Sequence, residues 1–150
     1  MSILRPSRRP WLIGGVVLAA DQLTKHALIS SFHPGQSLPL IHGVLHLTYV
    51  QNTGAAFGLL KGQQLLFIGL ALLVLAWIIR EMLTKAVIPP AMEWGCSLIL
   101  GGAVGNLIDR LRWGYVVDFI DVRIWPVFNI GDSAITIGVA LLMLQAIRNR

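Results

Sequence analysis

Charge is what this sequence has least of. Charged side chains make up 13% of its 150 residues, roughly half the ~25% of a soluble globular protein. Hydrophobic residues reach 55% and the mean hydropathy is +0.71, a composition suited to lipid. The formal charge of +5 would fit a nucleic-acid partner only if the basic residues formed a run or a stripe, and they form neither. They stand between apolar segments and at the termini, as topology signals do. One cysteine, Cys96, excludes an internal disulfide. It lies in WGCSLILGG and reads as a small buried side chain; a nucleophilic role would want a histidine partner, and none of the four lies near it in sequence. No Cys, Asp or Glu occurs between Ser30 and Gln64, so His42 and His46 lack the further ligands that zinc requires. No internal repeat, low-complexity tract or linker divides the chain, and a single domain over 1–150 is expected.

What is present is a series of long apolar runs. Residues 11–29, 65–83, 91–108 and 130–147 have the length and character of membrane-spanning helices. The first half of the first run, WLIGGVVLAA, also has the look of a signal-peptide hydrophobic region with Leu18-x-Ala20 as a cleavage site. Asp21 and Lys25 interrupt that pattern. At i and i+4, acid before base, they share a helix face and can neutralise each other inside a bundle. The second run is the clearest, ending at Arg80, Lys85 and the stop Pro89-Pro90. The third carries Gly101, Gly102, Ala103 and Gly105, which permit close helix approach, and Asn106, an interhelical hydrogen-bonding group.

Two connections remain, 30–64 and 109–129. In the first, Ile41 to Val50 alternates partly and is β-branched, predicting one or two strands of a small sheet at the membrane surface. The segment QNTGAAFG at 51–58 predicts a tight turn, with Phe57 as packing or a membrane anchor. Four spans put both termini on one side. That side carries seven Lys and Arg against four on the other, which predicts cytoplasmic termini and outward-facing connections.

Four of the seven carboxylates fall between Asn106 and Asp132. Acids gathered beside apolar runs are costly and point to function. Asp109 precedes Arg110, predicting a salt bridge, and Asp121 is expected to be solvated or paired with Arg123. Asp118 sits in VVDFI, an extended apolar setting that should lift its pKa. Asp132 opens the fourth helix, where negative charge is favoured. Asn129-x-x-Asp132 also has the spacing of a capping box. If the 109–129 connection folds back, Asp118 and Asp132 can meet and share a proton, as general acid and general base. Two bland readings compete: a transporter subunit relaying protons through intramembrane acids, and a scaffold whose acids only cap helices and pair with arginines.

Five motifs decide among them: Asp21-Gln22-x-x-Lys25, Asn52-x-Gly54-Ala55-Ala56-Phe57, Gly105-Asn106-x-x-Asp109-Arg110, Val117-Asp118-Phe119 and Asn129-x-Gly131-Asp132-Ser133. In order and spacing they resemble the bacterial signal peptidase II family of membrane aspartic proteases. Gly131 departs from the alanine usual there. The resemblance implies four transmembrane helices with a small extracytoplasmic β-sheet and a surface helix covering the site. It implies that Asp118 and Asp132 are catalytic. Asp21, Lys25, Asn52, Gly54, Asn106, Asp109, Arg110 and Asn129 would shape the site or contact substrate. The implied substrate is a diacylglyceryl-modified prolipoprotein cut before its lipidated cysteine. The implied setting is the inner-membrane phospholipid, with the protein a monomer that needs no metal or organic cofactor. It also argues against cleavage after Ala20, which would leave the first motif as a new terminus.

Overall fold

In a computed structural model, residues 8–54, 60–85 and 87–148 are described. They form seven elements in the order α1 (Arg9–Ser31), β1 (Ser37–Ile41), β2 (Leu45–Asn52), α2 (Gln64–Thr84), α3 (Pro90–Trp113), β3 (Val116–Asp121) and α4 (Ile130–Arg148). All four helices are long and apolar enough to cross a membrane. Their outward faces carry exposed Leu12, Val16 and Leu23 on α1, Leu65, Leu72 and Leu73 on α2, and Met143 and Leu144 on α4. In lipid such faces need no protein cover, because the solvent is itself apolar.

The organising helix is α3. Half of its most apolar stretch is buried, against about a fifth for the other three, because α1, α2 and α4 all pack on it. Small residues make that possible. A β-carbon on Gly101 would stand 2.5 Å from the Gly14 carbonyl oxygen, and one on Gly102 would overlap the Gly131 carbonyl. Gly95 meets Gly138 lower on the same seam. Backbones at this distance bring α1 parallel and α4 antiparallel to α3. On the third side, α2 packs through Ile78 and Met82 against Cys96 and Ile99. Cys96 is buried there, as its sequence context predicts.

Three of the expected spans match to within a residue or two at each end. The third helix continues from the expected Ile108 to Trp113 and stops at Gly114, whose φ of 75° suits glycine. Asp109 and Arg110 are therefore helical residues within the last turns.

The 30–64 connection holds two strands, β1 and β2, joined by a turn in which Gly43 has φ 75°. β3 adds to the far edge of β2, giving an antiparallel sheet of order β1-β2-β3. Leu28, Tyr49, Val117 and Phe119 form a buried cluster that fastens the sheet to the C-terminal end of α1. Val50 pairs with Asp118 across the sheet. The expected turn at 51–58 is described only as far as Gly54, and Phe57 lies outside the described residues. No surface helix occurs among the described residues of this connection, of which 55–59 are not part.

The glycine seam makes a direct prediction. Gly102→Ala should destabilise the protein by about 1–3 kcal/mol, the usual cost of overpacking. Gly15→Ala should be neutral, since nothing lies within 4 Å of its β-carbon position. Thermal unfolding of both variants in detergent checks the contrast.

Candidate active site

β3 delivers Asp118. Val116, Val117, Asp118 and Phe119 are all buried. The strand is held by β2 on one edge, while Phe119 and Ile120 donate to the Phe128 carbonyl at 3.0 and 2.7 Å. An acid in such a strand needs partners, and it has two amides. Asn52 Nδ2 donates to Oδ2 at 2.8 Å and Asn129 Nδ2 donates to Oδ1 at 2.7 Å. Asn52 is itself oriented by the Gly54 N–H, which donates to Asn52 Oδ1 at 3.0 Å.

α4 delivers Asp132. Asn129 and Asp132 do form a capping box: the Asp132 N–H donates to Asn129 Oδ1 at 2.7 Å, and the Asn129 N–H donates to Asp132 Oδ2 at 3.3 Å. The capping reading and the dyad reading thus describe the same residue. Asn106 Nδ2 reaches the other Asp132 oxygen at 2.7 Å. Asn129 Nδ2 also lies 3.1 Å from Asn106 Oδ1. Two asparagines therefore bridge from one aspartate to the other, each presenting N–H to a carboxyl oxygen.

Behind the asparagines lies an ion cluster. Lys25 is sealed between Asp21 and Asp109 at 2.8 Å each, with all three side chains at 0–1% exposure. The expected pair of Asp21 with Lys25 is present. The expected Asp109–Arg110 bridge is not: Asp109 turns to α1 and takes Lys25. Successive side chains on a helix point about 100° apart, and here Asp109 faces α1 while Arg110 faces the cleft. Asp109 Oδ2 also accepts the Val117 N–H at 3.1 Å, fixing β3 one residue before Asp118. Asp21 Oδ1 accepts the Gly131 N–H at 2.8 Å, fixing the start of α4. Sequence reasoning missed Gln22 as a site residue. Its Nε2 donates to Asp109 Oδ1 at 3.0 Å and to the Gly105 carbonyl at 3.2 Å. Its place inside the first motif was the available signal.

Both aspartates line one cleft of about 270 Å³, with Asn52, Gly54, Asn106 and Arg110 on its polar side. Trp125, Phe128, Ile135 and Thr136 complete the wall, and sequence reasoning singled out none of these. Asp21, Lys25 and Asp109 are not part of the cleft wall and are buried away from solvent. Arg110 stacks over Phe67 at 4.9 Å and donates to the Gly54 carbonyl at 3.4 Å. Its Nε is buried with no partner among the described residues. Among the described residues no cluster of His, Cys, Asp and Glu could hold a metal ion.

Burial pushes the Asp118 carboxyl up to about 7, reinforced by the charge of Asp132 and opposed by the Asn52 and Asn129 hydrogen bonds. Asp121 behaves oppositely. Burial would raise it, but Thr48 at 2.8 Å and Arg123 at 2.9 Å outweigh that and hold it below the ordinary carboxylate range. The expected Asp121–Arg123 pair is present, outside the cleft.

Residues 13–148 match the family model described as signal peptidase (SPase) II. The lipoprotein signal peptidase of Moorella thermoacetica is 50% identical over 134 residues, covering 89% of each chain. That of Halothermothrix orenii is 48% identical over 130 residues, covering 86% of this chain and 88% of its own. A bacterial membrane enzyme solved by the in meso method at 2.3 Å resolution superposes with a TM-score of 0.88 at 35% identity, covering 94% of this chain and 88% of that one.

The raised Asp118 carboxyl has a thermodynamic signature. Folding lifts it from the ordinary range to about 7, so between about 4 and 7 the folded state holds a proton that the unfolded chain has released. Stability falls as pH rises through that window. Asp118→Asn removes this loss, so its Tm relative to the unsubstituted protein should climb by several degrees from acid to mildly alkaline pH. Thermal scans across that range check it, and a pH-independent difference would contradict the assignment.

Proposed function

The chain belongs to the signal peptidase II family, and on that premise we propose that Asp118 and Asp132 are the catalytic pair with which it works. The protein is a multi-pass membrane protease that removes signal peptides from prolipoproteins. The observation that carries the assignment is the shared cleft: of the seven carboxylates, these two line it, each held by amide donors.

The chemistry follows from their unequal surroundings. Asp132 sits in the first turn of α4, where the helix dipole favours the charged form. Asp118, lifted to about 7, keeps the proton near neutral pH. Ionised Asp132 takes a proton from a water whose oxygen attacks the scissile carbonyl carbon, while Asp118 gives its proton to the carbonyl oxygen. The tetrahedral intermediate collapses as one of its hydroxyls returns a proton to Asp118, the C–N bond breaks and the leaving amine takes the proton held by Asp132. Arg110 and Asn52, at the polar wall, can donate to backbone carbonyls of the bound peptide. No step calls for a metal or organic cofactor.

The substrate in this reading is a diacylglyceryl-modified prolipoprotein, cut before the lipidated cysteine. Acyl chains in the bilayer would hold the scissile bond at the depth of the cleft, whose rim includes the apolar Trp125, Phe128 and Ile135. The surrounding inner-membrane phospholipid is then a working partner. One membrane peptidase domain acting as a monomer suffices, with both termini cytoplasmic and the cleft near the outer face, as the seven-to-four bias of basic residues supports.

Purified protein mixed with diacylglyceryl-modified prolipoprotein gives the test, read as a size shift. Asp118→Asn and Asp132→Asn should remain folded and lose cleavage by at least about 10³-fold, in line with removing a general acid or base. Asp121→Asn should cleave nearly as well as the unsubstituted protein. A dead Asp121→Asn would place the site elsewhere, and ion coupling without cleavage would favour the proton relay. Activity should also fall above about pH 7, where Asp118 loses its proton and both acids are charged, and again at acid pH where both are protonated.

A further inference from the structure

Lys25 has three hydrogens to donate and uses all three. Two go to Asp21 and Asp109, and the third goes to Asn106 Oδ1 at 2.9 Å. Two carboxylates already neutralise a buried ammonium, so the third bond calls for its own explanation. Asn106 Oδ1 accepts from Lys25 and from Asn129 Nδ2, while Asn106 Nδ2 donates to Asp132 at 2.7 Å. Asn129 Nδ2 continues to Asp118 Oδ1. An ammonium can only donate, so the Asn106 amide cannot turn over. Reversed, it would set its NH₂ against Lys25 and Asn129 and its oxygen against Asp132. One buried cation therefore dictates which way the Asn106 amide points, and Asn106 Oδ1 in turn favours the same sense of the Asn129 amide that the Asp132 N–H holds.

We propose that Lys25 is a positioning residue for the cleavage chemistry: through Asn106 and Asn129 it aims amide hydrogens at both aspartates, and its charge stabilises the single negative charge the pair carries. This rests on the reading of Asp118 and Asp132 as the catalytic pair. The ionised groups facing the pair are Asp21 and Lys25 on α1, and Asp109 and Arg110 on α3. Of the two cations, Arg110 stands on the cleft wall and meets the substrate, whereas Lys25 is sealed behind it. Only the field of Lys25 is the same before and after substrate enters. That field opposes the upward push of burial and of Asp132 on Asp118.

The test compares pH profiles of cleavage for Lys25→Met, Lys25→Met/Asp109→Asn and Lys25→Arg, using diacylglyceryl-modified prolipoprotein in detergent. Lys25→Met leaves two buried carboxylates unbalanced and can fail to fold. The double variant restores the native trio's net charge of −1, from two acids and one base, and its folding is followed by thermal unfolding. Both limbs of its profile should still move up, by less than the about one pH unit that loss of a lone nearby charge implies, because Lys25 acts on Asp118 more strongly than Asp109 does, and kcat should fall at least about tenfold. Lys25→Arg keeps the charge and should lower kcat with the limbs in place. A folded double variant whose limbs overlay those of the unsubstituted protein overturns the proposal, as do displaced limbs in Lys25→Arg. A purely structural lysine would lower activity equally at every pH. Failure of the dyad reading is separate: it would show as cleavage by Asp118→Asn or Asp132→Asn, while loss of cleavage in both leaves that reading standing whatever Lys25 does.

Discussion

A lysine ammonium buried at 1% exposure between two carboxylates of 0% exposure is the constraint on which the site depends. Charges so far from water survive only when every donor and acceptor is matched. Here the matching partners come from four elements. Lys25 and Asp21 lie on α1, Asp109 on α3, the Val117 N–H on β3 and the Gly131 N–H on α4. The cluster is therefore a junction that fixes where β3 and α4 begin, and those two elements carry Asp118 and Asp132. Removing Lys25 would leave two carboxylates unpaired in a low-dielectric interior, and removing either acid would leave a backbone N–H, of Val117 or of Gly131, without its acceptor.

The junction in turn requires the helices to be very close. A β-carbon on Gly105 would collide with the Asp21 carboxylate, and one on Gly131 would crowd both Asn129 Oδ1 and Asp21 Oδ1 at 3.1 Å. Small residues and buried ions are thus one design: the glycines admit the carboxylates, and the carboxylates bind the backbone exposed where side chains are missing. The departure at Gly131 is informative in this light. An alanine there would have to displace its neighbours by a few tenths of an ångström.

Much of this was legible beforehand because lipid imposes simple rules. Apolar runs located the helices, and sorting acids by neighbours separated Asp118 and Asp132 from the rest. The failures have specific causes. Asp109 was given to Arg110 because adjacency in sequence was read as adjacency in space, whereas on α3 the two diverge, one to Lys25 and the other to the cleft. The same polar residues made α3 look finished at Ile108, although a lysine from another helix was waiting for Asp109. β3 was foreseen only as an extended setting, since the edge it joins is supplied by β2, more than sixty residues earlier. Gln22 left no trace in an argument built on charge, because a neutral amide shows its importance only through the acceptors around it. Trp125 and Phe128 enter the cleft wall through the fold-back of a loop that carries no periodic pattern.

The position of Asp132 ties reaction depth to the lipid matrix. It is the third residue of a 19-residue helix, which at about 1.5 Å per residue spans roughly 28 Å, close to the ~30 Å hydrocarbon thickness of a typical bilayer. A helix of that length crossing the bilayer along its normal would set the carboxylate near the rim of the hydrocarbon slab. Longer acyl chains would draw the cleft inward, dehydrating it, and shorter ones would flood it. With Asp132 in the catalytic role proposed above, turnover in reconstituted vesicles would depend on fatty-acid chain length, with an optimum where slab and helix match.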